Sequence, residues 1–138
     1  MTNIKTKMPD SLFALKMQAR DHECDIQGVV NNAHYQHYFE HARHQFLLAN
    51  QIDFAKLAQQ GINLMVAKIE IEYKAPLKAH DEFMVHVKPI RISKLKVCFI
   101  QELIDINTQK LTALAKTTVV SVNNQQKPLR ESPLNKFI

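Results

Sequence analysis

The sequence contains little glycine, little cysteine and no tryptophan. Its only glycines are Gly28 and Gly61, and its five prolines are scattered, so no low-complexity linker or repeat divides the chain. Cys24 and Cys98 are isolated and lack the spacing of a zinc or redox motif. The chain, residues 1–138, is therefore expected to form one domain with unpaired thiols and no metal site.

Long hydrophobic runs are also missing. No apolar stretch approaches the roughly 18–20 residues that a membrane-spanning helix needs. The first residues, MTNIKTKMPDSLF, have neither the apolar core nor the cleavage site of a signal peptide, which predicts a cytoplasmic protein. The hydrophobic share of 46% is nevertheless sufficient for a real core.

Acidic residues are scarce in one basic segment of the second half. The net charge is +5, and Lys88, Arg91, Lys94 and Lys96 follow one another with no acid between them. A patch this small suits an anionic small molecule better than a nucleic acid, since no nucleic-acid motif accompanies it. A strand edge protected by solvated lysines explains the same pattern equally well.

Hydrophobic periodicity near 3.6 residues marks the first half of the chain as mainly helical. The pattern predicts a strand over 13–20, a loop over 21–32, a long helix over 33–50 and a short helix over 53–60. Asn31 or Asn32 suits the N-cap of the long helix, and Gly61 suits the end of the short one. The long helix carries one apolar stripe, made of Tyr35, Tyr38, Phe39, Ala42, Phe46 and Ala49.

After Gly61 the period changes to two, which indicates β-strands. Strands are predicted over 63–74, 82–92, 96–106 and 111–123, with Pro89 forcing a bulge or an edge. Four consecutive strands favour an antiparallel meander, and the helical stripe needs a sheet to cover it. The expected fold is α+β, with a curved antiparallel sheet of about five strands wrapped around one central helix. From Gln125 onward the chain is expected to be irregular.

The segment 20–43 holds the strongest chemical signal. Asp25 lies in the predicted loop, seven residues before Asn32 and the start of the long helix. A carboxylate can act as nucleophile or base, while the unpaired N–H groups of a helix N-terminus can hold a carbonyl oxygen. This arrangement points to acyl chemistry, although a turn-forming or capping aspartate is the plainer interpretation of Asp25.

Two motifs in the chain resemble those of the hotdog-fold acyl-CoA thioesterases of the 4-hydroxybenzoyl-CoA thioesterase type. The first comprises Glu23, Asp25, Gly28, Val30, Tyr35, Phe39, Glu40, Ala42 and Arg43. The second is Ile71-Glu72-Tyr73-Lys74-Ala75-Pro76-Leu77, followed by Asp81. His80 stands where that family commonly has glycine, and Asn32 where some of its subgroups have histidine. The Val-Asn-Asn version looks more like the branch that acts on long-chain fatty acyl-CoA.

The resemblance implies acyl-CoA hydrolysis without a cofactor. Asp25 would be the nucleophile or general base, and the backbone N–H of Asn32 would polarise the thioester carbonyl. His34, Tyr35 and Phe39 would border the acyl group, and the phosphates of coenzyme A would meet the basic side chains Arg91, Lys94 and Lys96. It also implies a homodimer, two of which form a homotetramer, with the active site at a subunit interface.

Several alternatives stay open at this point. Asp21 and Glu23 could share a proton with Asp25, or be solvated or structural acids. The histidines His34, His37, His41 and His44 form a second helical stripe that suits a solvated face better than a metal. Glu40 and Arg43 are spaced to pair, as architecture or at a subunit contact. The chain as a whole could instead be a hotdog enoyl-thioester hydratase or dehydratase, or a non-catalytic acyl-thioester binding module.

Overall fold

The computed structural model describes residues 13–137. The strands are β1 (Ala14–Gln18), β2 (Asn63–Tyr73), β3 (Glu82–Arg91), β4 (Lys96–Asp105) and β5 (Leu111–Val122); the α-helices are α1 (Asn32–Ala49) and α2 (Phe54–Gln59). Short 3-10 turns occupy Asp21–Glu23 and Pro133–Lys136. Each strand and helix predicted from periodicity is confirmed, with ends that differ by at most two residues. In this part of the chain no helix is both long and apolar enough to cross a bilayer.

The five strands form one antiparallel sheet in the order β1-β3-β4-β5-β2. The prediction of a four-strand meander is wrong for β2. Only β3, β4 and β5 follow one another across the sheet, whereas β2 crosses over to pair with β5. Short hairpins join β3, β4 and β5, but the segment after β2 is longer and lets β3 pair elsewhere.

Helix α1 packs on the face of the sheet that carries the core. Phe39, Phe83 and Phe99 are fully or almost fully buried, each contributing about 1.5–3 kcal/mol by leaving water. The predicted stripe is confirmed except for Ala49, which is exposed in the last turn. Arg43 and Leu47 are buried instead, because α1 turns its 43–47 segment toward β4 and β5.

Pro89 produces an edge but no bulge. It pairs with Phe99 of β4 without a register shift. Strand β1 reaches only as far as His86 on the opposite side of β3. Beyond that point β3 is an edge strand within residues 13–137, so the N–H that proline lacks costs the sheet no hydrogen bond.

The segment after Gln125 is more ordered than expected. Pro128 bridges to Val122 of β5, and a 3-10 turn capped by Ser132 follows. Leu134 and Phe137 are buried, and the Phe137 ring lies 5.4 Å from that of Phe46. This packing could not be predicted from the sequence, because two apolar residues in a polar tail show no periodicity.

His80 stands where the family pattern commonly has glycine, and its backbone conformation shows how the turn is maintained. Its φ of 73° lies in the left-handed region that glycine adopts without strain. Histidine is among the side chains that enter this region most readily after glycine, asparagine and aspartate. The turn before Asp81 is therefore kept, at a small conformational cost.

Candidate active site

The loop that leads into α1 is a small closed hairpin. Cys24 bridges Val30, and the N–H of Asp25 donates to the carbonyl of Val29 at 2.8 Å. The N–H of Gly28 donates to the carbonyl of Asp25 at 3.0 Å, and Gly28 has a φ of 81° that suits glycine. Asp25 is therefore held by its backbone on both sides.

The carboxylate of Asp25 is anchored by one oxygen only. Its Oδ1 accepts from the N–H of Gln27 at 2.8 Å and, at 3.4 Å, from that of Val29. Within residues 13–137 no donor contacts Oδ2, and the side chain is exposed. One oxygen thus fixes the orientation of the group while the other remains available for chemistry.

The N-terminus of α1 begins beside this loop. Asn31 is the N-cap, and its side chain accepts from the N–H of Ala33 at 2.9 Å. Asn32 is the first helical residue, so its N–H has no intrahelical acceptor, and the residue is exposed. The hydroxyl of Tyr73 on β2 donates to the Asn32 carbonyl at 3.3 Å, which ties the helix start to the sheet.

The hydrogen-bond partners of the Glu23 carboxylate could not be predicted from the sequence. Its Oε1 accepts from the Tyr38 hydroxyl at 2.6 Å and from the N–H of Arg20 at 2.8 Å. These contacts direct the carboxylate toward α1, and no hydrogen bond joins it to Asp21 or Asp25 within the described residues. Of the two interpretations of Glu23, the structural one is favoured over a proton shared with Asp25.

Cys24 is not a competing nucleophile. Burial raises the pKa of its thiol, and the neighbouring carboxylates Asp25, Glu23 and Asp21 raise it further. The thiol therefore stays protonated at neutral pH and is a poor nucleophile. Both cysteines are free.

The three side chains expected beside the acyl group differ in their exposure. His34 is half-buried in the first turn of α1, with its ring 5.4 Å from that of His37. Tyr35 is buried, and its hydroxyl accepts from the N–H of Leu77. Phe39 is fully buried in the core. Within one chain, His34 is thus the most accessible of the three.

A groove runs along α1 on the side that faces β2. Its volume is about 410 Å³, and it begins at the first turn of the helix. The groove is lined by Ala33, Gln36, His37, Glu40, Arg43, Val66 and Ile69. A smaller pocket of about 100 Å³ shares Glu40, Arg43 and Val66 with it and extends toward Leu47 and Phe54. Together they form a channel along α1 that is lined by polar as well as apolar side chains and starts near Asn32.

Arg43 is buried, and within residues 13–137 no acidic side chain forms an ion pair with it. It is 7% exposed, and its Nη1 donates to Gln101 at 3.2 Å and to Thr117 at 3.4 Å. Burial lowers its pKa, and Glu40 partly offsets that effect. No ion pair between Glu40 and Arg43 forms among residues 13–137, although their spacing allows one. Arg43 instead connects α1 to β4 and β5.

The histidine stripe gives no metal site in the described part of the chain. No group of three or more His, Cys, Asp or Glu side chains is close enough there to hold a metal ion. His44 stacks on Phe54 at 4.1 Å, and burial lowers its pKa. His37 and His41 border a second groove between α1 and β1.

Of the three basic residues expected to contact phosphates, Arg91 is already occupied. Its guanidinium donates to the carbonyls of Phe137 at 2.9 Å and Leu134 at 2.7 Å, and to those of Ser93 and Lys94. This clamp holds the C-terminal segment against β3. Lys94 and Lys96 are exposed, so a phosphate-binding role remains a prediction chiefly for these two.

We expect Arg91→Ala to lower the free energy of unfolding by about 1–3 kcal/mol, because it removes charge-assisted hydrogen bonds to carbonyls, two of them partly buried. Urea denaturation measures this change. Lys94→Ala is the matched control and should stay within about 0.5 kcal/mol of wild type. An Arg91→Ala protein of normal stability with a raised KM for acyl-CoA would instead support a phosphate-binding role for Arg91.

Comparison with known proteins gives consistent matches. The family model of the thioesterase-like superfamily matches residues 19–137. A chloroplastic acyl-acyl carrier protein thioesterase of Arabidopsis thaliana is 29% identical, over 100% of this chain and 80% of the relative. A second such enzyme from the same plant is 32% identical, over 84% of this chain and 62% of the relative. The acyl-CoA thioesterase YbgC of Haemophilus influenzae is 28% identical, over 81% and 80%.

Solved structures show the same architecture. A hypothetical protein from Aquifex aeolicus superposes with a TM-score of 0.82 at 26% identity, covering 91% of this chain and 99% of its own. A 1,4-dihydroxy-2-naphthoyl-CoA thioesterase from Synechocystis superposes with a TM-score of 0.81 at 20% identity, covering 85% and 87%. The predicted hotdog fold is confirmed.

Proposed function

This chain belongs to the thioesterase-like superfamily and is a thioester hydrolase, and we propose that it converts fatty acyl-CoA and water to a free acid and coenzyme A at Asp25. The observation that carries the proposal is the state of the Asp25 carboxylate. The N–H groups of Gln27 and Val29 fix one oxygen, while the other accepts no hydrogen bond within residues 13–137.

Asp25 and Asn32 would divide the chemistry between them. As a general base, Asp25 takes a proton from water as the water oxygen attacks the thioester carbon. The carbonyl oxygen becomes negative and is held by the Asn32 N–H at the positive end of the α1 dipole. Collapse of this intermediate expels the thiolate, which takes up a proton. Direct attack by Asp25 would pass through an anhydride that water then opens, with the same products.

The channel along α1 supports an acyl-binding role. It starts at the first helical turn, where the carbonyl would be held, and runs between α1 and β2 over Val66 and Ile69. His34, Tyr35 and Phe39, which the sequence placed beside the acyl group, do not line this channel, so in this proposal Ala33, Gln36 and His37 border the acyl group from α1. Lys94 and Lys96 would meet the phosphates of coenzyme A, and the protein would work in the cytoplasm.

We further propose that the working unit is a dimer formed along β2. Within residues 13–137 this strand pairs only with β5, so its other edge is open. Val66 and Tyr73 are large apolar residues exposed on it. A long open edge with exposed apolar side chains favours pairing with another strand. A second copy would also close the groove along α1, and two such dimers would form the predicted tetramer.

A thiol-release assay across saturated acyl chains of increasing length and one aromatic acyl group tests the proposal. We expect release of coenzyme A from the fatty acyl substrates, with a lower kcat/KM for the aromatic one. The same acyl groups on acyl carrier protein form a second arm, because the relatives include enzymes named for each carrier. Faster turnover of the carrier-protein substrates would overturn the coenzyme A assignment, and hydration of enoyl-CoA without thiol release would overturn hydrolysis.

A further inference from the structure

A short hydrogen bond connects the middle of α1 to the loop that carries Asp25. The Tyr38 hydroxyl donates to Oε1 of Glu23 at 2.6 Å. Tyr38 is 3% exposed, and its ring packs 4.8 Å from that of Phe83 in the core. Tyr38 therefore provides a rigid anchor, and Glu23 is the partner whose position it determines.

Glu23 is connected to both parts of the candidate site, which are the loop that carries Asp25 and the start of α1. Its Oε1 also accepts from the N–H of Arg20, and its backbone carbonyl accepts from the N–H of Asn31 at 2.9 Å. Asp25 lies two residues after Glu23, and Asn32 directly follows Asn31. Glu23 thus lies two residues before the proposed base Asp25, and it contacts Asn31, the residue before the proposed oxyanion donor.

We propose that Glu23 and Tyr38 are a positioning pair, which sets the distance between the Asp25 carboxylate and the Asn32 N–H. This inference rests on the proposed function of those two groups. Asp25 protrudes from a loop that has no core side chain at its tip, since Ile26 is fully exposed. Among the described residues, the Glu23–Tyr38 contact is the side-chain hydrogen bond that ties this loop to the interior of α1. A displacement of about 1 Å at such a site can cost about 100-fold in rate.

The charges of the pair support a strong contact. Burial of Glu23 acts to raise its pKa, but the hydrogen bonds from Tyr38 and Arg20, together with the nearby His22 and His34, lower it overall. Burial, together with the bond to Glu23, raises the pKa of Tyr38 well above its usual range. At neutral pH a carboxylate therefore accepts from a neutral hydroxyl, which is a charge-assisted hydrogen bond. Because the pKa of Glu23 is lowered, its contribution is present above the ordinary value of 4.5 and is lost as pH falls below it.

The decisive variant is Tyr38→Phe, which keeps the ring and removes only the hydroxyl. We expect kcat for thiol release to fall about 10-fold or more while KM stays within about 2-fold, as for a lost hydrogen bond to a charged group. Glu23→Ala should lower kcat to a similar level, and Glu23→Gln should restore most of it, because an amide oxygen can still accept both bonds. Combining Tyr38→Phe with Glu23→Ala should cause no further loss.

Tyr35→Phe is the matched control. It removes a buried hydroxyl one turn earlier on α1, where the hydroxyl contacts the N–H of Leu77 and not Glu23. Equal losses of kcat in Tyr35→Phe and Tyr38→Phe would overturn positioning in favour of general destabilisation, as would additive effects of Tyr38→Phe and Glu23→Ala. If Tyr38→Phe does not fold, the contrast between Glu23→Gln and Glu23→Ala decides alone, and equal activities of these two overturn the proposal.

The two proposals fail in different ways. Wild-type activity of Tyr38→Phe beside an inactive Asp25→Asn would overturn only the positioning pair. Wild-type activity of Asp25→Asn would overturn the proposed function and the pair with it.

Discussion

Asp25→Asn is expected to lower kcat for thiol release about 1,000-fold, within the range seen when a general base is lost. Asparagine can neither take a proton from water nor attack the thioester, so both routes to the acid close. Its Oδ1 can still accept from Gln27 and Val29, so the loop should keep its shape. Stopped assays at saturating acyl-CoA measure kcat, and thermal unfolding verifies the fold.

Asp21→Asn provides the control for this variant. Asp21 is an exposed acid in the same loop, at the start of the 3-10 turn. The two substitutions change the local charge equally, and only one removes the proposed base. Asp21→Asn should therefore retain activity within about 2-fold, as expected of a surface change. Comparable losses in both variants would mean that loop charge, and not the Asp25 group, limits the rate.

The helices and the strands could be predicted because their signals are local. The apolar stripe of α1, its asparagine cap and the switch to a period of two after Gly61 each depend on neighbouring residues. The crossover of β2 to β5 depends on contacts distant in sequence, which periodicity does not encode. The same limit applies to the C-terminal segment, where Arg91 binds backbone carbonyls that carry no sequence signature.

The candidate site divides in the same way. Asp25 and Asn32 were identifiable because a loop acid and a helix start lie close together in one segment. The contact between Glu23 and Tyr38 joins residues fifteen apart through a hydroxyl that looks like part of the apolar stripe. Its only sequence signal is an acid two residues before Asp25, combined with a tyrosine at a core position of α1. That combination could have suggested a buried hydrogen bond but not its geometry.

The open edge of β2 connects the fold to the proposed mechanism. In the sequence β2 looks like an ordinary half-buried strand, yet most of its residues are exposed in the structure. Val66 is 49% exposed and lines the groove on the α1 side, while Met65 is 41% exposed and, by strand alternation, lies on the opposite face. A second copy along this edge would cover Val66 and complete the channel for the acyl group.

Val66→Lys is therefore expected to weaken the proposed dimer by about 100-fold or more, because it places two like charges in an interface from which water is excluded. Activity should fall with it, and should recover as the protein concentration rises above the new Kd. Sedimentation velocity over a range of concentrations measures the first effect, and thiol release at the same concentrations measures the second.

Met65→Lys adds the same charge one residue away on the other face and should remain dimeric and active. A Val66→Lys protein that is monomeric but fully active would show that one chain holds the whole site, whereas a wild-type monomer would leave the β2 edge open for a different partner.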